Sequence, residues 1–189
     1  MAKLNSNMLV KGARGHVGKQ FVYKQRANQT LIAKMPEVNK NLVRSQEQLA
    51  VRDLFAAAVV YAKGAMADQV LKSEYQKKAS AARTAYNIAF RDYLKAPVVS
   101  KIDAEQYNGT AGTTIAVFAK DDFRVTGVRV SIIDINGNLV EEGNALLHPI
   151  DRNRWTYTAT NTLADIAGST ITAEAMDIPG NKGSLQIIL

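Results

Sequence analysis

Residues 11–19 come nearest to a chemical motif in this chain. Their glycines and basic side chains resemble a phosphate-binding loop, which needs a glycine, four residues, and then Gly-Lys followed by Ser or Thr. Ala13 stands where the first glycine is required, and Gln20 stands where the hydroxyl that binds Mg²⁺ is required. The residues that follow have the pattern of a strand, whereas the motif needs a helix. We therefore interpret the segment as a glycine-spaced arm and not as a nucleotide site.

The sequence has no constellation that is typical of catalysis. His16 and His148 are far apart, and neither has a nucleophile or a carboxylate at the spacing of a known motif. The chain has no cysteine, which excludes thiolate nucleophiles, thiolate metal sites and disulfides. A pair of glycosidase carboxylates needs only proximity in space, so the sequence leaves that alternative open. We expect a protein that is not an enzyme and that has no cofactor and no metal.

Two acidic stretches in the C-terminal half have some features of cation sites. Residues 134–138 offer oxygen ligands, but their glycine comes two residues too early for an EF-hand loop. Asn-Gly between two alternating runs is instead the signal of a hairpin turn. Asp121, Asp122 and Asp177 are the other candidates, since the loop ends of a sandwich can hold a cation. Paired carboxylates on loops are usually only solvated, so we favour that interpretation.

The basic side chains near the N-terminus are the best candidates for a contact site. The net charge of +7 is uneven, because residues 1–36 hold seven basic and no acidic side chains, whereas residues 98–189 hold seven basic and eleven acidic ones. Such a split favours either a polyanion or the acidic end of another copy as the partner. The residues predicted to contact a neighbouring subunit or a polyanion are Lys11, Arg14, His16, Lys19, Lys24, Arg26 and Lys34.

Aromatic residues beside these cations would favour stacking on single-stranded nucleic acid. Phe21 and Tyr23 are the aromatic residues in question. In a strand, however, they share one face, and this pattern more often buries an aromatic face against the rest of the protein. We favour packing over base stacking.

The elements that must position these side chains begin with a hairpin. Residues 20–24 and 30–34 are predicted as strands, with residues 26–29 as the turn. A hairpin of this size is marginal in water and must dock on something. Changes of composition and period divide the chain into a basic arm with this hairpin, a helical hairpin and a β-sandwich, at residues 1–41, 42–97 and 98–189.

The middle segment has the pattern of two helices. Ser45 and Gln48 have the spacing of a capping box, in which each side chain bonds the other's backbone N–H. An apolar stripe follows, and Gly64 or Asp68 marks the end of the first helix or a kink. A second helical pattern covers residues 68–94. Its many alanines permit close approach of two helices, so we predict an αα-hairpin.

The last segment changes to an alternating pattern, with Gly or Asn in the turns. Several short strands at this spacing predict a cysteine-free, immunoglobulin-like antiparallel sandwich, and hence an α+β fold class. Trp155 and Tyr157 lie on one face of a predicted strand. They are candidates for carbohydrate binding, but a place in the core is the favoured interpretation. The predicted strands cover residues 114–119, 125–135, 139–142, 155–160, 170–175 and 184–189.

Two stretches resemble known families. Residues 155–160 with 173–181, which include Asp177, Gly180 and Asn181, resemble the last strands of bacterial Ig-like domains. That resemblance implies the sandwich fold and one of several roles: spacer, adhesin or phage virion decoration. The N-terminal half resembles an uncharacterised family of small proteins of Bacteroidota and their phages, which implies no activity but favours a phage-related or surface-assembly role. Its matching residues are Gly15, His16, Val17, Gly18, Val22, Pro36, Gln48, Arg52, Phe55 and residues 85–87.

These patterns favour a structural protein that self-associates through its basic arm, as a virion component or a surface filament subunit. The alternative is a nucleic-acid-binding protein that uses the same arm on phosphates. Residues 1–10 lack the apolar run of a secretory signal, and no stretch approaches the roughly 18 apolar residues of a membrane helix. We therefore expect synthesis in the cytoplasm, no membrane span, and a final place in a virion or an extracellular assembly.

Overall fold

The structure, a computed structural model, describes residues 2–3, 7–26, 29–37 and 43–189. Within these residues the chain forms a small N-terminal sheet, three helices and a pair of larger sheets, all with antiparallel strand pairing. The predicted α+β fold class is confirmed. The predicted boundary between arm and helical segment, at residues 41–42, lies outside the described residues. The division into three domains stays a prediction.

The N-terminal sheet has four strands in the order β1-β4-β3-β2. Both predicted hairpin strands are present, and two short strands extend the sheet at its edges. Gly18 and Lys19 both have a φ of 56°, so a tight left-handed turn connects β2 to β3. The centre of the other predicted turn, residues 27–28, lies outside the described residues. The strands are β1 (Ala2–Lys3), β2 (Gly15–Val17), β3 (Phe21–Arg26) and β4 (Gln29–Lys34).

The helices are α1 (Gln46–Ala67), α2 (Gln69–Lys77) and α3 (Ala85–Leu94). The predicted capping box is present at the start of α1, where Ser45 and Gln48 satisfy each other's backbone N–H groups. The structure differs from the single helix predicted over residues 68–94, because the helix is interrupted between α2 and α3. Thr84 explains why α3 begins as a separate helix. Its hydroxyl accepts from Asn87 N at 3.3 Å and caps the new helix.

The helical layer is built on close packing of α1 against α3. Buried alanines line the contact, as the sequence predicts, and Tyr75 of α2 fills the space beside them. Among the described residues, no helix alone is both long and apolar enough to cross a membrane, and α1 and α2 pass that test only as a pair bent by 102°. The buried residues of this cluster are Ala62, Ala65, Tyr75, Ala85 and Ala89.

The C-terminal residues form two facing four-stranded sheets, ordered β5-β6-β10-β9 and β12-β11-β7-β8. This order matches strands A-B-E-D and G-F-C-C′ of the immunoglobulin fold. The sequence pattern missed β5 and the very short β9. The strands are β5 (Val98–Asp103), β6 (Thr114–Lys120), β7 (Val125–Ile133), β8 (Leu139–Asn144), β9 (Leu146–Leu147), β10 (Arg154–Thr158), β11 (Thr170–Asp177) and β12 (Lys182–Ile188).

The core of the sandwich comes from alternate residues of both sheets. Burial alternates along β6 and β11, as expected of strands with one face toward a core. Trp155 and Tyr157 belong to this core, with 6% and 4% of their surfaces exposed. The core interpretation of these two aromatic residues is therefore confirmed, and a carbohydrate platform built on them is excluded.

The helical layer is fixed to one end of the sandwich. Asn181, in the β11–β12 turn, donates to the carbonyl oxygens of Asp92 and Tyr93 at 3.2 Å each. Phe123, from the β6–β7 loop, packs on Tyr75 with ring centroids 4.4 Å apart. These contacts hold the end of α3 and Tyr75 of α2 against two loops of the sandwich.

Candidate functional site

All seven predicted contact residues of the arm are exposed. Lys11 and Arg14 lie in the loop before β2, and Lys19 lies in the turn after it. Lys34 ends β4 and forms an ion pair with Glu37 at 2.6 Å. The structure therefore spreads the predicted set over loops and strands, and the strand pairing decides which members lie together.

Strand register places three of the predicted contact residues on one face of the small sheet. His16 pairs with Val22, so their side chains share a face. Lys24 and Arg26 follow Val22 at steps of two along β3, and side chains two apart in a strand point the same way. His16, Lys24 and Arg26 therefore form a basic face. Lys34 pairs with Phe21 and lies on the opposite face.

The opposite face of the small sheet carries an apolar patch beside Gln25, Thr30 and Lys34. Val17 pairs with Phe21, and Tyr23 pairs with Ile32, so these four side chains share this face. Val17 and Phe21 are 56% and 46% exposed. For Phe21, the expectation that this face packs against the rest of the protein is wrong. We call Val17, Phe21, Tyr23 and Ile32 the apolar arm face.

The glycine-containing loop folds onto the same small sheet. Gly12 N donates to the Thr30 hydroxyl at 3.1 Å, and the Gln25 amide donates to that hydroxyl and to the Ala13 carbonyl at 2.8 and 3.1 Å. A strand and not a helix follows, which supports the rejection of a phosphate-binding loop. Among the described residues, every hydrogen bond and ion pair of this arm is made within residues 2–37, and the strand pair β1–β4 is one of these internal contacts.

A second apolar surface lies on the first half of α1. This part of the helix meets α3 through Phe55, whose ring centroid lies 5.5 Å from that of Phe90, and residues 46–56 are exposed except for the half-buried Leu49. Val51, Leu54 and Phe55 are 54%, 46% and 48% exposed. Isolated helical turns gain little stability in water, so such a surface is suited to contact with another molecule.

The two histidines are not brought together. His16 lies on β2 of the arm, and His148 lies in a loop of the sandwich. The Nδ1 atom of His148 accepts from the backbone N–H groups of Ile150 and Asp151, at 3.4 and 3.1 Å. His148 therefore stabilises its own loop.

The predicted turn over residues 134–138 is confirmed. Asp134 Oδ1 accepts from the backbone N–H groups of Asn136 and Asn138 at 2.8 Å each, and Gly137 has a φ of 84°. The Asn138 side-chain amide also donates to Asp134 Oδ2, at 3.0 Å. This hydrogen bond first, and then those from the backbone, lower the pKa of Asp134. The carboxylate closes a hairpin turn between β7 and β8.

The three other acidic candidates separate in the structure. Asp122 forms ion pairs with Arg91 and Lys95 at 2.8 and 2.7 Å. These three side chains form an ordinary surface ion-pair group. Asp121 and Asp177 instead approach each other at the end of α3, beside Asp92. Sequence reasoning missed Asp92, because a single acidic residue in a helical pattern carries no signal of what its side chain faces.

No family model matches the chain, and no curated protein matches it. Among solved structures, it is similar to CopC from Methylosinus trichosporium OB3b, with 15% identity, 48% of this chain and 89% of that chain covered, and a TM-score of 0.34. A tetra-tandem repeat in the extending region of a large adhesion protein has 18% identity, coverages of 50% and 23%, and a TM-score of 0.31. A β-glucuronidase from Bifidobacterium dentium has 21% identity, coverages of 48% and 16%, and a TM-score of 0.31.

The chain spans less than a quarter of the adhesion-protein and β-glucuronidase chains. TM-scores this low carry no inference about function. The immunoglobulin-like assignment of the C-terminal half therefore rests on this chain's own strand order. The comparisons give no support to the resemblance of the N-terminal half to a Bacteroidota and phage family.

Proposed function

We propose that this chain is a non-catalytic structural protein that assembles with copies of itself, or with other structural subunits, through its basic N-terminal arm. One observation carries the proposal: the small sheet exposes Val17 and Phe21 of its apolar arm face, and its described hydrogen bonds are all internal. A segment of this kind is suited to a neighbour that covers it.

Burial supports this proposal. Within residues 7–37, only Thr30 and Leu31 are buried among the described side chains. A small sheet needs an apolar face packed against something for independent stability. Covering Val17 and Phe21 would remove apolar surface from water, which is favourable at roughly 25 cal/mol per Å². The exposed side chains of α1 offer a second apolar surface for the same contact.

The charge distribution favours a head-to-tail contact. The basic arm of one copy is complementary to the acidic sandwich of the next, and a heterologous contact of this kind gives rings or filaments. We propose a virion component or a surface filament subunit as the setting. That setting rests on the sequence resemblances, which favour spacer, decoration and assembly roles.

A single experiment on the full-length protein tests assembly. Light scattering during gel filtration should give a mass well above the 20.6 kDa of one chain. The double variant Val17→Asp/Phe21→Asp should shift the protein to monomers, because it places two charges on the apolar arm face. Circular dichroism of each variant reports whether the sandwich and the helices remain folded.

The control variant is Leu146→Asp/Ile150→Asp. These apolar side chains are 76% and 85% exposed, more than the test pair, and they lie on the sandwich and not on the arm. The control should keep the assembled mass. A full-length protein that is a monomer at every concentration would refute the proposed function.

Nucleic-acid binding is the second candidate function. The observation that favours it is the basic face formed by His16, Lys24 and Arg26, since cations on one face of a sheet can contact consecutive phosphates. Association without nucleic acid separates the two functions. The loss of DNA affinity with rising salt makes that separation quantitative.

A further inference from the structure

Three carboxylates from separate elements meet where the helical layer joins the sandwich. Asp92 lies in the last turn of α3, Asp121 in the β6–β7 loop, and Asp177 at the end of β11. Each offers one oxygen, and these oxygens lie within 4.8 Å of one another. Asp92 and Asp177 are buried, with 1% and 2% of their surfaces exposed. We call these three side chains the acidic cluster.

Neutral donors hold each carboxylate in place. The Tyr75 hydroxyl donates to Asp92 Oδ2 at 2.6 Å. Asp121 Oδ2 accepts from two backbone N–H groups of its own loop, at 2.8 and 2.9 Å. Asn181 donates to both oxygens of Asp177, at 2.6 and 2.8 Å. The positions of all three groups are therefore fixed before any ligand arrives.

Two oxygens of the acidic cluster have no partner among the described residues. Asp92 Oδ1 and Asp121 Oδ1 are both buried and accept no hydrogen bond. A buried acceptor left without a partner is costly, and a buried carboxylate more so. The orphaned oxygen of Asp92, a residue that is 99% buried, indicates that a further group belongs at the acidic cluster.

The neighbouring cations do not supply that group. Arg91 and Lys95 both bind Asp122, which is adjacent to Asp121 but points to the surface. Among the described residues, no ion pair includes a member of the acidic cluster. Three carboxyl groups therefore converge without a counter-charge from the described residues.

The electrostatics of the acidic cluster favour the uptake of a positive charge, either a proton or a cation. Burial raises the pKa of Asp92 to about 7, and the charges of Asp121 and Asp177 add to the effect against the opposing hydrogen bond from Tyr75. Burial also raises the pKa of Asp177. A bound cation would reverse this balance, since a positive charge at the cluster favours the ionised form of each carboxyl.

We propose that Asp92, Asp121 and Asp177 bind one calcium ion, which ties α3 to two loops of the sandwich. An all-oxygen site with carboxylates suits a hard cation. Calcium–oxygen distances of about 2.3–2.6 Å allow ligand oxygens up to roughly 4.6–5.2 Å apart, a range that accommodates this cluster. Mg²⁺ needs shorter distances of about 2.0–2.1 Å, and Zn²⁺ favours nitrogen and sulfur ligands.

This inference departs from the expectation of a metal-free protein drawn from the sequence. The sequence offered Asp121 and Asp177 as candidates for a cation site. The third carboxylate, Asp92, lies on α3, more than 25 positions before Asp121 in the chain. Bound calcium would stabilise the junction of the two layers by its preference for the folded state. The proposal is independent of the arm and of assembly.

Calcium binding by the full-length protein is the test. After treatment with EDTA and removal of the chelator, calorimetric titration with CaCl₂ at pH 7.5 should show one ion bound per chain. Thermal unfolding should shift upward by at least about 5 °C at a calcium concentration roughly 100-fold above the dissociation constant. MgCl₂ should bind more weakly.

Variants at neighbouring positions separate the site from general charge effects. Asp121→Asn should weaken calcium binding by at least about tenfold, since even groups outside the ligand set of a metal have effects of that size. Asp122→Asn removes the same charge one residue away and should keep the calcium response. Both change loop residues, so neither is expected to prevent folding.

The alternative occupant of the acidic cluster is a shared proton. In that case the melting temperature would fall as the pH rises toward 7, and calcium would not change the melting temperature. The calorimetric titration with CaCl₂ would show no saturable binding heat. That result overturns the proposal. An equal loss of calcium binding in Asp121→Asn and Asp122→Asn would overturn it too, because it would assign the ion to the surface.

Discussion

Glu141 shows how one residue can be buried and still remain ionised. Its side chain lies on β8 with only 6% of the residue exposed. Burial opposes ionisation, but Glu141 Oε2 accepts from Thr160 N, Thr160 Oγ1 and Asn161 N at 2.8, 2.7 and 3.1 Å. These hydrogen bonds outweigh burial and lower the pKa of Glu141 below its ordinary value of 4.5. The carboxylate therefore fixes the chain after β10.

The first prediction concerns Glu141→Gln. Because the folded pKa is depressed, the stabilisation by Glu141 is complete above the ordinary value of 4.5 and is lost as the pH falls through the folded pKa. At pH 7 the variant should lose about 1–3 kcal/mol of unfolding free energy. Urea denaturation from pH 3 to 7 should show a steeper acid loss for the wild type than for the variant.

Glu142→Gln is the control for this prediction. Glu142 lies next in the chain, but it is an exposed residue that pairs with Arg129 across the strands. Surface pairs of this kind contribute roughly 0–1 kcal/mol. Parallel pH profiles for Glu141→Gln and the wild type would show that the buried carboxylate does not control acid stability.

At the scale of elements, the two sheets of the sandwich approach closely where β12 passes the start of β5. A Cβ atom built on Gly183 would lie 1.8 Å from the carbonyl oxygen of Pro97. Pro97 is itself fully buried and directly precedes β5. The absence of a side chain at position 183 is therefore a packing requirement and not a conformational one.

The second prediction follows from this contact. Gly183→Ala should destabilise the protein by about 1–3 kcal/mol or more, because backbone and not a flexible side chain must move. Gly127→Ala, on β7, is the matched control, since no atom lies within 4 Å of its added Cβ. Thermal unfolding of both variants checks the difference. Equal melting temperatures would mean that β5 can shift away from β12 at little cost.

The elements that the sequence predicted and those it missed differ in physical character. Strands β6, β10 and β11 alternate strongly because one face packs in the core. Two-residue β9 is too short for any periodicity. The break between α2 and α3 was hidden because residues 78–84 contain alanines that favour a helix, while a local cap at Thr84 restarts it.

At the scale of the whole molecule, the separation of charge governs association. Every charged side chain of residues 1–36 is basic, whereas the sandwich has more acidic than basic side chains. Attraction between exposed charges is screened by salt, with a Debye length of about 10 Å at 0.1 M and about 3 Å at 1 M. Charge and apolar contributions to assembly can therefore be separated by ionic strength.

The third prediction is that assembly occurs without nucleic acid and weakens as NaCl rises from about 0.05 M to about 0.5 M. Lys24→Glu/Arg26→Glu should reduce the assembled mass at low salt, because the basic face then repels acidic surfaces. Lys72→Glu/Lys77→Glu on α2 makes the same change of net charge away from the arm and should retain assembly. Sedimentation velocity measures all three proteins.

Binding of single-stranded DNA in the same salt series tests the alternative. A phosphate-binding arm should lose DNA affinity steeply with salt and lose it further in the Lys24→Glu/Arg26→Glu variant. Monomers without DNA, combined with that salt dependence, would favour the nucleic-acid function over assembly.

The sequence by itself determined the helical and alternating segments, the capping box, the Asn-Gly turn, the core role of Trp155 and Tyr157, and the charge asymmetry. These features depend on local periodicity and residue chemistry, which a linear pattern contains. The tertiary structure alone decided that Phe21 is exposed, that Asp122 is a surface ion-pair group, and that Asp92 meets Asp121 and Asp177. Those outcomes depend on which distant elements pack together, and the identity of a single side chain does not record its neighbours in space.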